Sequence, residues 1–353
     1  MTSFTQTNSI SPLTVNMSSA TTSARKAPKS APVKLHPWSL TYIRLRLSAM
    51  LIRTVLGGAI TLAEFIFQDV PKDVKITKTT ISSREEGRSI RVHIYQPRDL
   101  DTSLPAAVHL NFHGSGFMVP CLGSDRKFCS KLASQLNMVV VDCDYRKAPE
   151  RPWPAAIQDT EDCVLWALSQ NQHFDTSRIT IGGFSAGANL ALCTSTIYGD
   201  ELKGVIAFYP PCDLTIDQQL KKPPPEKHGH AIPIFMARMF DKAYILSVGV
   251  NRADPLISPI KANPNAFPRL VWLCCARGDT LYNDGKKLTE SLRDAGHSQV
   301  TFYDVPGEAH AFDKGNRNGT EKAKKTQASY KSAIEAVQKS WTVAPRKPDS
   351  ARL

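Results

Sequence analysis

Three short segments of this 353-residue chain carry the residue types that acyl transfer needs. The first is Gly183-Phe184-Ser185-Ala186-Gly187, directly after the apolar run RITIG and directly before a helix-length segment. A nucleophilic serine is exposed by a sharp strand-to-helix turn, and that turn crowds the residues two positions away, which Gly183 and Gly187 suit. The same turn points the Ala186 N–H into the space before the serine, at the positive end of a helix. Alone, G-x-S-x-G is weak, arising by chance in roughly one chain in ten of this length, and a plain tight turn reads the same way. The second segment is His113-Gly114-Ser115-Gly116-Phe117, just after AAVHLNF. Acyl transfer builds negative charge on a carbonyl oxygen, and pre-aimed backbone N–H groups in a small-residue loop stabilise it. The alternative there is an ordinary glycine-rich loop. The third is an acid and a histidine: Asp279 after the run RLVWLCC, and His310 after QVTFYDV.

The chain order Ser185, Asp279, His310 is that of an α/β hydrolase. Each of these residues lies just past an apolar strand, where open parallel sheets place their ligand sites. Asp284 and Glu308 are rival acids. Asp284 falls inside the following helix, and Glu308 is only two residues from His310.

From about residue 70 to 340 the sequence resembles the hormone-sensitive-lipase-like branch of α/β hydrolases, the fold-3 group. Beyond the two glycine motifs, Asp144-Tyr145-Arg146-Lys147-Ala148-Pro149-Glu150, followed by Pro152-Trp153-Pro154-Ala155-Ala156 and Asp159, is similar to a long family stretch. Asp254-Pro255 with Ser258-Pro259, and Gly278-Asp279-Thr280-Leu281 with Asp284-Gly285, resemble two more, and the last favours Asp279 as the acid. The resemblance implies an α/β-hydrolase fold with a helical cap and a serine carboxylic-ester hydrolase acting through an acyl-enzyme. It assigns Ser185 as nucleophile, His310 as base and Asp279 as its orienting acid. It also implies an oxyanion hole from the N–H groups of Ser115, Gly116 and Ala186, with His113 and Gly114 supporting the loop. Phe117, Met118 and Phe184 would add apolar lining, suiting small to medium apolar esters. Two positions depart from the family pattern. Ser115 stands where a glycine is usual and is uncomfortable if φ must be positive. Phe184 stands where many members have Asp.

These residues need a scaffold, and the rest of the pattern supplies one. VKITKTTI and SIRVHIYQP alternate with period two around a Glu-Glu-Gly turn, predicting two joined strands. Six short apolar runs follow, with helix-length segments at 123–136, 154–170, 185–198 and 283–296 and a closing helix over 316–340. Strands alternating with helices predict a mostly parallel sheet covered on both faces. Residues 214–266 are proline-rich and break the rhythm, predicting a cap insertion. Residues 1–35 read as a disordered lead, and 341–353 as an exposed tail. Residues 36–70 read as N-terminal helices. The stretch 38–69 is amphipathic, but Arg44, Arg46, Arg53 and Glu64 interrupt its apolar run. It reads either as a helix packed on the body or as an interfacial membrane helix, not as a span.

The net charge of +12 sits at the ends. Residues 1–63 hold seven Lys/Arg and no acid, residues 314–353 hold ten against three acids, and the middle is at −2. A basic nucleic-acid-binding body is thereby excluded. The eight cysteines form no C-x-x-C pair and read as buried reduced thiols in a reducing compartment. No cofactor and no metal ligand set is called for; the expected partner is a small-molecule ester or activated acyl substrate. The final Ala351-Arg352-Leu353 resembles a peroxisomal address read by an import receptor, the other location being the cytosol. The lead, body and tail look similar to fungal family members of toxin and secondary-metabolite clusters. Competing functions are a thioesterase or acyltransferase with the same three residues, a membrane-anchored lipase, and a non-catalytic binding module. The last usually lacks one of the three.

Overall fold

The computed structural model describes residues 36–66, 71–225, 232–297 and 299–343. The lead 1–35 and the tripeptide Ala351-Arg352-Leu353 lie outside the described residues. The strands are β1 (Val74–Ser82), β2 (Ser89–Pro97), β3 (Ala106–Phe112), β4 (Val139–Cys143), β5 (Phe174–Phe184), β6 (Gly204–Phe208), β7 (Leu270–Ala276) and β8 (Gln299–Val305). They form one sheet in the order β1-β2-β4-β3-β5-β6-β7-β8. The period-two strands β1 and β2 pair antiparallel, β2 is also antiparallel to β4, and every later pair is parallel.

The helices are α1 (Leu40–Ile66), α2 (Arg126–Leu136), α3 (Ala155–Ser169), α4 (Ala186–Tyr198), α5 (Ile234–Tyr244), α6 (Tyr282–Asp294) and α7 (Glu321–Ser340). Five of them, α2, α3, α4, α6 and α7, divide between the two faces of the sheet. Val164, Leu190 and Leu288, from α3, α4 and α6, share a core with Val108, Leu110 and Val271 of the sheet. Phe128, Leu132, Tyr330 and Val337, from α2 and α7, share the opposite core with Trp272 and Phe208. Strand alternation makes this division: in β7, Val271 and Leu273 face one core and Trp272 and Cys274 the other. With both faces covered, the inner strands read as continuous apolar runs. The α/β architecture expected from the sequence is the one that forms. All eight cysteines are buried, and none is joined in a disulfide.

Two features of the topology position the site. The crossovers from β3 and from β5 leave in opposite directions, so a crevice opens where the sheet order switches, beyond the carboxyl ends of these neighbours. The loops after β3 and β5 are the two glycine motifs. Over this end lie α1 and α5. Leu45 and Ala49 of α1 pack with Met118, Ala148, Ala243 and Leu246. Arg53 of α1 donates to the carbonyls of Met118 (3.0 Å) and Ala148 (2.8 Å) and pairs with both oxygens of Glu150. Among the described residues no helix is long and apolar enough to cross a membrane.

Candidate active site

Ser185 sits between the last residue of β5 and the first turn of α4, at φ 50° and ψ −119°. A non-glycine backbone costs about 1–3 kcal/mol in such a region, and strain of this kind clusters at functional sites. Packing enforces the turn. A Cβ at Gly183 or Gly187 would drive into the Phe112 carbonyl at the end of β3, so only glycine lets α4 start this close to the neighbouring strand. The Ser185 N–H donates to the Phe208 carbonyl of β6 at 2.9 Å, which ties the turn to the sheet.

The loop after β8 brings His310 back over this turn. Its Nε2 lies 3.0 Å from Ser185 Oγ, and its Nδ1 lies 2.6 Å from Asp279 Oδ2. Asp279 is fully buried, and its second oxygen accepts the Leu281 N–H at 3.0 Å. The two loops are joined by Gly278 N–H donating to the Glu308 carbonyl at 2.8 Å. Both rival acids are engaged elsewhere. Asp284 Oδ2 accepts from Lys221 Nζ (2.5 Å) and from the N–H groups of Cys212 and Asp213 (3.1 Å each). Burial raises its pKa in spite of Lys221. The Glu308 carboxylate pairs with Lys325 at 3.1 Å.

The loop after β3 lies against the same turn. A Cβ on Gly114 would stand 3.2 Å from the Phe184 carbonyl oxygen and 3.4 Å from Ser185 Cβ. The strained positions are Gly116 (φ 54°) and Phe117 (φ 61°), whereas Ser115 keeps an ordinary negative φ. The serine that replaces the family's glycine is therefore unstrained. Its hydroxyl lies 2.6 Å from the Tyr145 hydroxyl, which donates to the His113 carbonyl at 2.7 Å. His113 is a buried support: burial lowers its pKa, and its ring stacks on Tyr145 with centroids 4.8 Å apart. Its Nε2 lies 3.3 Å from Asp144, which Lys147 also contacts at 2.8 Å. Burial acts to raise the Asp144 carboxyl, but His113 and Lys147 outweigh it and hold the group well below the usual carboxylate range. The Asp-Tyr-Arg-Lys stretch thus serves as a brace for this loop.

Sequence reasoning missed Phe240 and Arg53. The Phe240 ring of α5 lies where a Cβ on Gly116 would come within 2.6 Å of it, so it covers that glycine directly. Arg53 holds the loop's far end through the Met118 carbonyl. The lining expected from apolar neighbours needs correction. Phe184 is fully buried, stacks on Phe208 (4.4 Å, 8°) and lies under Lys314 Nζ at 3.9 Å, so it belongs to the core between sheet, α2 and α7. Strand alternation turns its side chain away from the crevice. Met118 is likewise fully buried, between α1 and α5. Phe117 stacks on Tyr244 at 3.8 Å and stays 3% exposed.

The arrangement is a hydroxyl, an imidazole and a buried carboxylate in hydrogen-bonded sequence. Among the described residues, no backbone acceptor takes the N–H of Ser115, Gly116 or Ala186; Ala186 directly follows the serine, and Gly114, next to Ser115, packs against the serine turn. That is the equipment for nucleophilic attack on a carbonyl with the developing oxyanion held by N–H groups.

Comparison with known proteins finds the same fold in ester hydrolases and in a dehydratase. A family model described as alpha/beta hydrolase fold matches residues 109–314. The chain is 27% identical over 252 residues to an ethyl acetate hydrolase of Pseudomonas putida, covering 67% of this chain and 75% of that one. It is 26% identical over 278 residues to a 2-hydroxyisoflavanone dehydratase of Glycyrrhiza echinata, covering 69% and 82%. Among solved structures, an esterase of Pyrobaculum calidifontis superposes with a TM-score of 0.70 at 25% identity, over 84% of this chain and 94% of that one.

Proposed function

Since the chain belongs to the alpha/beta hydrolase fold family, we propose that it is a serine carboxylic-ester hydrolase working through an acyl-enzyme on small to medium apolar esters. The observation that carries this reading is the chain Ser185 Oγ–His310 Nε2 (3.0 Å) and His310 Nδ1–Asp279 Oδ2 (2.6 Å) on a strained turn at the sheet's switch point. Ser185 Oγ attacks the ester carbonyl while His310 Nε2 takes its proton. The N–H groups of Ser115, Gly116 and Ala186 hold the oxyanion. The imidazolium then gives its proton to the departing alkoxide, leaving an acyl ester on Ser185. Water, deprotonated by the same nitrogen, then attacks the acyl carbonyl, and the imidazolium returns that proton to Ser185 Oγ as the acid departs. Asp279 keeps the proton on Nδ1, so that Nε2 faces the serine as a base. The Phe240 ring over Gly116 gives the site its apolar character. A fluorophosphonate probe is expected to label the peptide containing Ser185 stoichiometrically and to abolish p-nitrophenyl ester turnover. Labelling elsewhere, with turnover surviving, would sink the reading.

The reading extends to a surface and an address. Helix α1 and the short segment ahead of it expose Trp38, Leu40, Leu47, Met50, Leu51 and Val55. Residues 1–63 hold seven bases and no acid. An exposed apolar stripe with cations suits peripheral contact with anionic lipid. Full-length protein should then float with phosphatidylserine-containing liposomes but not with neutral ones, and flotation with neither rejects the contact. The peroxisomal address rests on the sequence Ala351-Arg352-Leu353. An N-terminally tagged chain is expected in peroxisomes and should move to the cytosol when these three residues are removed. A substrate from specialised metabolism rests on resemblance to fungal family members.

A further inference from the structure

We propose that Tyr209 and Asp313 are positioning residues that set the tilt of the His310 imidazole. This rests on the reading of His310 as the general base. The two hydrogen bonds of the imidazole, to Ser185 Oγ and to Asp279 Oδ2, lie at opposite nitrogens. They fix the axis through those nitrogens, and rocking of the ring plane about it is opposed only by the soft side-chain torsions of His310. A group packed on the ring itself limits that motion further, and Tyr209 is placed to do so. Its ring stands edge-to-face with the imidazole, with centroids 4.7 Å apart and planes at 61°.

The backbone is strained to put it there. Tyr209 directly follows β6 and has φ 40°, held by its N–H donating to the Cys274 carbonyl at 2.6 Å. Ala311, next to His310, has φ 57°. Bulky or Cβ-bearing residues at positive φ persist where surroundings over-determine them, which points to a use for the conformation.

The tyrosine is anchored to the histidine's own loop. Its hydroxyl donates to Asp313 Oδ1 at 2.6 Å, and Asp313 lies three residues beyond His310. The path from His310 through the Tyr209 ring to Asp313 and back along the chain is therefore a closed circuit. Asp313 is fixed in turn: Oδ2 accepts from the Tyr330 hydroxyl at 2.7 Å and from Lys314 Nζ at 2.8 Å, and Lys314 also pairs with Asp125 at 2.7 Å. Burial acts to raise the Asp313 carboxyl, but Lys314 and the two hydroxyls outweigh it and keep it ionised. Tyr330 makes the same kind of bond to the same carboxylate, but its other ring contacts are with Phe128 and Phe208, in the core.

That asymmetry supplies the test. Kinetic constants for a p-nitrophenyl ester are measured per fluorophosphonate-titrated site in wild type, Tyr209→Phe, Tyr330→Phe, Asp313→Asn and the Tyr209→Phe/Asp313→Asn double variant. Displacing a catalytic group slightly costs rate rather than ground-state binding, so Tyr209→Phe is expected to lower kcat about tenfold with KM within about twofold. Tyr330→Phe removes the matching bond and should leave kcat within about twofold of wild type. Asp313→Asn should resemble Tyr209→Phe, and the double variant should lose little more than either, because both act through one link. Equal kcat losses in Tyr209→Phe and Tyr330→Phe, or no loss in Tyr209→Phe, would overturn the proposal. Absence of Ser185-dependent turnover in wild type would instead overturn the ester-hydrolase reading beneath it.

Discussion

Ser185→Ala is expected to lower kcat for ester hydrolysis by about a million-fold, the scale seen when a serine hydrolase loses its nucleophile, while the melting temperature stays within about 2 °C of wild type. The two halves of this expectation have separate causes. Activity falls because the substitution removes the hydroxyl held 3.0 Å from His310 Nε2. Stability holds because the turn is built by other groups: the Ser185 N–H on the Phe208 carbonyl, and Gly183 and Gly187 against Phe112. Alanine keeps the Cβ and therefore the same strain at φ 50°. The oxyanion N–H groups remain, so a residual rate about a thousandfold over water is expected. Turnover of the variant within tenfold of wild type, with the fluorophosphonate label still incorporated, would move the nucleophile elsewhere.

Much of the site is legible in the sequence because each part depends on short-range constraints. The runs that became β3, β7 and the end of β5 are apolar enough to be buried on both faces, β8 is a half-buried edge strand, and each chemical residue sits just past one of these strands. Glycines 183 and 187 are required by a local clash, so their spacing carries the signal. Phe184 was misplaced because its neighbour in sequence faces the crevice while it, one position earlier on a strand, faces the opposite core. Ser115 raised a concern about positive φ that falls instead on Gly116 and Phe117. What the sequence hides is the long-range packing. Arg53 reaches the Met118 carbonyl across 65 residues, and Phe240 comes from a proline-rich insertion without periodicity to cover Gly116. Neither contact leaves a spacing that could be read in advance. The same holds for Tyr209 and Asp313, which lie 104 residues apart and meet only because β6 and the loop after β8 end on the same side.

The choice between Asp279, in the loop after β7, and Asp284, in the first turn of α6, can be settled by a pair of isosteric substitutions with opposite signatures. Asp279→Asn is expected to lower kcat about ten-thousand-fold with little change in melting temperature. An amide at 2.6 Å from His310 Nδ1 presents either a donor, which forces the ring proton onto Nε2 and removes the base from Ser185, or a neutral acceptor that no longer stabilises the imidazolium. The fold loses little, since the Leu281 N–H still finds a carbonyl oxygen. Asp284→Asn should do the reverse. Its carboxylate is the partner of Lys221 Nζ at 2.5 Å, with side chains 5% and 2% exposed, and it also accepts the N–H groups of Cys212 and Asp213. Stripping the charge from one side of a buried pair costs about 3–5 kcal/mol. Those contacts anchor the start of the cap insertion to α6, so the loss should appear as a fall in melting temperature and loosening of the cap. The chemical step in folded molecules should stay within about tenfold, because Asp279 still orients His310. A large kcat loss in Asp284→Asn at unchanged melting temperature, with Asp279→Asn nearly active, would reverse the assignment. The geometry opposes that outcome, because the Lys221 ion pair leaves the Asp284 carboxylate committed to the cap while the imidazole is already held by Asp279.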